Sequence, residues 1–324
     1  MDRVNQAVNR HAATGFAAVC AAHAPLALNG ATPAPQKEDY LAALKRCGHW
    51  IRGFAPDVIF EFAPDHMNGF FYNLMPAFCI GLEGVSVGDW ATPKGSLTVP
   101  SELAMAALNY VRGADVDLAL SYRMVVDHGF TQPLALMFDN LNEYPVIPIM
   151  INCGAPPRAE FRRVRLLGEA IGSFCKHRNL RALFLGSGGL SHDPPVPNFQ
   201  TADTATREAM IVGGELGVEA RAAREAHIVN AAIEFAAGRS SSLAPNSEWD
   251  ETFMDLMKSG HINKVDHWTD DEVTKAAGCG AHEVRTWVAS FAALSAASGS
   301  YGMDLEFYDS VLTWMTGMGV VRAR

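Results

Sequence analysis

Four histidines of this chain stand just past short apolar runs, at turns. Imidazoles that converge from separate segments make a metal site or an acid–base site. His23 follows Phe16-Ala-Ala-Val-Cys20, and His66 follows Val58-Ile-Phe-Glu-Phe62. His128 comes after the stretch from Leu118 to Val126, and His192 after Ala182-Leu-Phe-Leu185 and the turn Gly186-Ser-Gly-Gly189. Apolar runs of this length read as buried strands of a parallel sheet. In open α/β sheets the ligand site lies beyond the carboxyl ends of the strands. Parallel strands would therefore bring all four imidazoles to one place.

Each histidine also has a plain reading as a loop side chain bonded to backbone, so its surroundings matter. Pro64 ends the strand before His66, and Asn68-Gly69 is a turn signal. Asp65 stands beside His66 and Asp127 beside His128. A carboxylate in that position can orient an imidazole from behind. The glycines before His192 let backbone approach a ligand closely. They do not make a phosphate loop, because G-x-x-x-x-G-K-[ST] needs a lysine that is absent here.

A metal site built from histidines usually includes a carboxylate, and the candidate is Glu283, in Gly278-Cys-Gly-Ala-His282-Glu283-Val284-Arg285-Thr286-Trp287. Val284, Trp287, Val288, Phe291 and Leu294 recur at helical spacing, which puts Glu283 in the first turn at the border of a buried face. A first-turn glutamate also complements the helix dipole. His282 is a competing ligand that spacing does not exclude. Two histidines and one carboxylate with open positions describe the facial triad of non-haem Fe(II) oxygenases, and the remaining histidines could be acid and base. The residues alone predict a metal-dependent enzyme, iron or zinc, without choosing which two histidines bind.

The elements that must position these groups alternate. Strands are expected over 15–22, 57–63, 117–125, 145–152 and 180–185, with helices over 37–54, 101–113 and 158–177. Ser101 is a plausible N-cap. From Thr201 the texture turns helical, with further helices over 247–260 and 269–297. Ser247 with Asp250 resembles a capping box. The fold class expected is α/β: one domain over 15–324, a largely parallel or mixed central sheet flanked by helices, and a helical C-terminal part. Residues 1–14 read as a flexible extension.

The chain has 324 residues, 49% hydrophobic and 19% charged, enough for a sizeable core. A net charge of −9 with no Lys/Arg cluster argues against nucleic acid as a partner. No apolar run approaches the ~20 residues of a membrane span. The six cysteines form no C-x-x-C pair, and the polar Met1–Ala12 is no secretion signal. Reduced thiols in a cytoplasmic protein are the expectation.

Three stretches carry a family likeness: Phe62-Ala-Pro-Asp-His66 through Asn68-Gly-Phe-Phe-Tyr72; Val126-Asp-His-Gly-Phe130 with Gln132-Pro133-Leu134; and Leu185-Gly-Ser-Gly-Gly-Leu-Ser-His192 with Pro194-Pro-Val-Pro197. Together with His282-Glu283 and Thr286-Trp287 they resemble the LigB-type extradiol ring-cleavage dioxygenases, from about Phe16 to near the C-terminus. The resemblance implies O2-dependent cleavage of a 3-substituted catechol such as 2,3-dihydroxyphenylpropionate or 2,3-dihydroxycinnamate, with Fe(II) as cofactor, in a homo-oligomer. It maps the iron ligands onto His23, His66 and Glu283, the proton donor onto His128, the proton acceptor onto His192, and an aspartate orienting His128 onto Asp127. Ala22 and Ala24 depart from the hydroxyl residues that often flank the first ligand. Arg123 and Arg285 are candidates for an anionic substrate tail by nearness to the motifs. The alternatives are the same chemistry on another catechol or aminophenol, or a zinc-dependent relative on this scaffold.

Overall fold

A computed structural model of the chain describes residues 15–324, so the expected extension over 1–14 lies outside the described residues. The strands are β1 (Gly15–Ala21), β2 (Val58–Ala63), β3 (Phe78–Gly81), β4 (Gly84–Ser86), β5 (Gly95–Ser96), β6 (Ala119–Ser121), β7 (Met124–Val126), β8 (Val146–Ile151), β9 (Arg181–Ser187), β10 (Met303–Val311) and β11 (Thr316–Ala323). The helices are α1 (Lys37–Phe54), α2 (Ser101–Gly113), α3 (His128–Phe138), α4 (Phe161–His177), α5 (Thr204–Val212), α6 (Val218–Ala236), α7 (Ser247–Lys258), α8 (Asp270–Ala277) and α9 (Val284–Ser298).

The main sheet runs β10-β11-β1-β9-β2-β8-β3-β6. Its centre, β1-β9-β2-β8, is parallel, while β11 pairs antiparallel with β1 and β3 antiparallel with β8. The sheet is thus mixed around a parallel core. Strands β2 and β8 are buried at every residue because helices cover both faces. One apolar layer joins the sheet to α2, α4 and α9, and the other joins it to α1 and α3. Gly168 and Gly172 let α4 press on α9: a Cβ at either would strike the backbone carbonyl of Ala289 or Ala293.

Register levels the carboxyl ends of the core strands. Ala21 pairs with Ser187 and Phe62 with Gly186. The turns bearing His23, His66 and His192 therefore leave one edge of the sheet, as their apolar runs predict. His128 arrives by another route. The expected strand over 117–125 is broken at Tyr122-Arg123 into β6 and β7, and β7 belongs to a separate small sheet, β5-β4-β7. Parallel pairing of β4 with β7, Ser86 against Val126, brings the loop after β4 beside the turn after β7.

Two capping expectations are corrected. Pro100, not Ser101, stands at the N-cap of α2, and the Ser101 hydroxyl donates to the Leu82 carbonyl at 2.8 Å. Asn246 caps α7 by accepting from Trp249 N–H, while Asp250 turns inward to Ser191. The helical texture from Thr201 is realised by α5 to α9, but the chain then closes with the hairpin β10–β11 against β1. Among the described residues no helix is long and apolar enough to cross a membrane.

Candidate metal centre

His23, His66 and Glu283 meet at one point. His23 Nε2 lies 3.4 Å from His66 Nε2. Glu283 Oε1 is 3.2 Å from His66 Nε2, and its Oε2 is 3.5 Å from His23 Nε2. Ligands held at ~2.1 Å around a right angle sit about 3 Å apart, so these separations suit two imidazole nitrogens and one carboxylate on one face of a cation.

The tautomers agree with that reading. The Ser187 hydroxyl gives its proton to the Gly129 carbonyl, so its oxygen accepts from His23 Nδ1–H at 2.9 Å. That leaves a lone pair on His23 Nε2, aimed at the centre. His66 Nδ1 donates to Asp127 Oδ1 at 3.2 Å, and His66 N–H donates to Asp127 Oδ2 at 2.7 Å. Three donor atoms converging without compensation would repel one another, so the centre calls for a positive charge.

The electrostatics make the same point. Burial, with His66 and His128 nearby, drives His23 down to about 3, against the pull of Glu283. Burial also disfavours a charged His66, yet the Asp127 and Glu283 carboxylates outweigh it and raise its pKa well above the ordinary value. Glu283 is held well below the usual carboxylate range because His23, His192 and His66 overcome its burial. Protonation of His66 is thus favoured in the metal-free cluster, and a divalent cation would take over that role.

Glycines seat the carboxylate. Gly189 N–H donates to Glu283 Oε2 at 2.7 Å, and a Cβ at Gly188 would crowd the Glu283 carbonyl. Trp287 Nε1–H fixes that loop by donating to the Gly188 carbonyl at 3.0 Å. His282 faces elsewhere. It is buried, with Nδ1 accepting from Arg285 Nη1 at 2.7 Å and Nε2 at 2.8 Å from Thr274 Oγ1. Burial and the neighbouring Arg158 and Arg285 lower it to about 3. Of the two residues left open by spacing, only Glu283 points into the cluster.

His128 and His192 flank the centre. The His128 ring stacks on His66 with centroids 4.2 Å apart, and His23, His66 and His128 each offer an atom within a 4.8 Å group. His192 Nδ1 donates to the Leu190 carbonyl at 2.8 Å, leaving Nε2 as an acceptor 3.7 Å from Glu283 Oε1. Gly189 and Gly280 make room for that ring, since a Cβ at either would collide with it.

One expected pairing is corrected. Asp127 does not bond to His128; it holds His66, Asn68 Nδ2 at 2.9 Å and Gly129 N–H at 2.9 Å. His128 is held by Asp89, whose Oδ2 accepts from Nδ1 at 2.6 Å and whose Oδ1 accepts from the His128 N–H at 2.9 Å. Asp89 is buried and was not singled out by sequence reasoning. Its only signal is an aspartate between Gly88 and Trp90 after the short run Gly84-Val-Ser-Val87. The arginines proposed for an anionic tail are also engaged elsewhere. Arg123 pairs with Glu83 at 2.7 Å on the surface. Arg285 is buried over the Phe161 ring and bonds the Ala159 carbonyl and Asp270.

Comparison with known proteins shows the family. Residues 17–319 match the family model described as the catalytic LigB subunit of aromatic ring-opening dioxygenase. A Cupriavidus pinatubonensis protein named 2,3-dihydroxyphenylpropionate/2,3-dihydroxicinnamic acid 1,2-dioxygenase is 44% identical over 306 residues, covering 94% of this chain and 96% of that relative. A protein of the same name from Rhodococcus jostii is 45% identical over 286 residues, covering 88% and 91%. The crystal structure of an uncharacterized Escherichia coli K12 protein superposes with a TM-score of 0.51 at 13% identity, covering 95% of this chain and 99% of that one, a likeness of fold alone. With the match spanning all the strand ends that carry the histidines and the helix that carries Glu283, this chain belongs to the LigB family of aromatic ring-opening dioxygenases.

Proposed function

We propose that this chain is an extradiol dioxygenase that opens the ring of a 3-substituted catechol with O2, its substrate being 2,3-dihydroxyphenylpropionate or 2,3-dihydroxycinnamate. The observation that carries the reading is the convergence of His23 Nε2, His66 Nε2 and the two oxygens of the Glu283 carboxylate, at separations of 3.2–3.5 Å, with histidines on two sides. The relatives' names support the substrate.

His23, His66 and Glu283 would hold Fe(II), and Asp127 would orient His66 from behind. When bound, the metal supplies open positions for both catechol oxygens and O2 together, and a path for electrons between ring and O2. Catechol must lose a proton to chelate. His192 is the acceptor in this proposal, because its Nδ1–H is committed to Leu190 and its Nε2 lone pair borders the centre. His128 is the donor. Its Nδ1 is tied to Asp89, so a second proton on the ring would reside at Nε2, from which it passes to the departing oxygen as the ring opens. Asp89 fixes the ring's orientation by accepting from both its Nδ1 and the His128 backbone N–H. The broken C–C bond lies next to the diol, not between the hydroxyls.

Cytoplasmic residence is supported by six free thiols, five of them buried. Homo-oligomerisation rests on the family likeness alone, and sedimentation of the purified chain tests it. The catalytic test is anaerobic loading with Fe(II), then 2,3-dihydroxyphenylpropionate and air. One O2 consumed per substrate with a yellow product is expected. Uptake only with other catechols would replace the substrate, and no uptake from any catechol with iron bound would overturn the reading.

A further inference from the structure

A cleft opens beside the histidine cluster, lined by His128, Asp89, Trp90, Arg221, Arg224 and Glu225 among others. Its charged groups differ in what they already hold. Both Asp89 oxygens serve His128. Glu225 accepts from Trp90 N–H at 2.9 Å. Arg224 donates to the His66 carbonyl at 2.6 Å. The Arg221 guanidinium, half-buried one helical turn before Arg224 on α6, makes no hydrogen bond or ion pair among the described residues.

An arginine on a cavity wall with no partner of its own, next to a catalytic histidine, is a receptor for an anion. We infer that Arg221 binds the carboxylate on the short side chain of the catechol, and so selects acidic 3-substituted catechols over neutral ones. Arg224 anchors the helix to the His66 turn, which holds Arg221 on the cleft that His128 lines. The inference rests on the ring-cleavage reading for the identity of the ring, but not for recognition of the tail. It also assigns the role for which Arg123 and Arg285 are unsuited, since their guanidinium groups are engaged away from the cluster.

The test compares the full-length wild type with Arg221→Met and Arg221→Lys by two measurements. The first is the ratio of kcat/KM for 2,3-dihydroxyphenylpropionate to that for 3-propylcatechol in Fe(II)-loaded enzyme. Loss of a charge-assisted pair should lower this ratio roughly 10- to 100-fold in Arg221→Met, through KM for the acid, with partial recovery in Arg221→Lys. The second is calorimetric binding of 3-phenylpropionate to the metal-free protein, which involves neither iron nor turnover. Wild type should bind it at least about tenfold more tightly than Arg221→Met, with no such difference for neutral 3-phenylpropanol. An unchanged ratio with equal binding would overturn the inference while leaving ring cleavage standing. Arg221-dependent binding with no O2 uptake from any catechol would instead overturn ring cleavage and leave Arg221 as the carboxylate receptor.

Discussion

Glu61 offers a sharp test of how this sheet is built. It lies in the middle of β2, fully buried, and neither carboxylate oxygen has a hydrogen-bond partner. Its strand neighbours on the same face, Ile59 and Ala63, point into the apolar layer of α1 and α3. Burial alone raises its pKa well above the ordinary 4.5. The carboxyl is therefore neutral in the folded chain, while the unfolded chain ionises it. A raised folded pKa gives stability that is complete below the unfolded pKa and is lost as pH climbs toward the folded one. Over that window the loss is about 1.4 kcal/mol per pH unit for one proton, so roughly 2.7 kcal/mol between pH 5 and pH 7. Glu61→Gln keeps the shape and removes the titration. Urea unfolding of both proteins, in chelator to keep metal linkage out of the comparison, should show their stability difference growing by that amount from pH 5 to pH 7. Stability profiles that run parallel across those two units would refute the argument, because they would mean the carboxyl is charged or partnered in the fold.

Further predictions concern the centre. Alanine at His23, His66 or Glu283 should abolish retention of Fe(II) through gel filtration. Alanine at His128 or His192 should leave metal content normal and lower turnover by roughly 10²–10⁴, the usual worth of a positioned acid or base. The two aspartates should separate in the same assays. Asp127→Asn should weaken metal affinity by about 10–100-fold, whereas Asp89→Asn should keep the metal and cut turnover toward the level of His128→Ala; the opposite pattern would reverse their assignments. Gly280→Ala should retain metal but lose activity as His192→Ala does, because the added methyl displaces the His192 ring.

The parts of the fold visible in sequence are those whose burial is uniform along the chain. Strands β1, β2 and β9 are buried over most of their length and apolar apart from Glu61, Arg181 and Ser187 because helices cover both faces, and α1 and α2 show a stripe bounded by turn signals, so their limits are legible in the sequence. What escaped depends on distant partners. Strand β10 is an edge strand carrying Asp304, Glu306 and Asp309 among half-exposed residues, which blurs its apolar signal. Strand β11 holds Gly317 and Gly319, whose missing side chains admit Asp250 and the Leu190–Trp287 pair, a reason that exists only in three dimensions. Helix α3 contains Pro133 and opens on His128-Gly129, so its helical signal is weak; its start is fixed by Asp127 accepting from Gly129 N–H.

The misassigned aspartate follows from the same turn. Asp127 and His128 are neighbours, but the chain changes there from strand to helix. Asp127 is still extended, at φ −116° and ψ −166°, while His128 is the first residue of α3. Neighbouring side chains across such a change diverge. Asp127 turns back over the N-terminus of α3 to His66, 61 residues away in sequence, and His128 faces the loop that follows β4. Nearness in sequence therefore names the wrong pair, and the parallel pairing of β4 with β7 supplies the right one. The result has chemical content. Two stacked imidazoles 4.2 Å apart, alike in residue type, are divided by their aspartates: His66 stands between Asp127 and Glu283, where a cation is favoured, and His128 has Asp89 alone and is left free to move a proton. The division of labour proposed for the four histidines thus resides in which carboxylate each one meets.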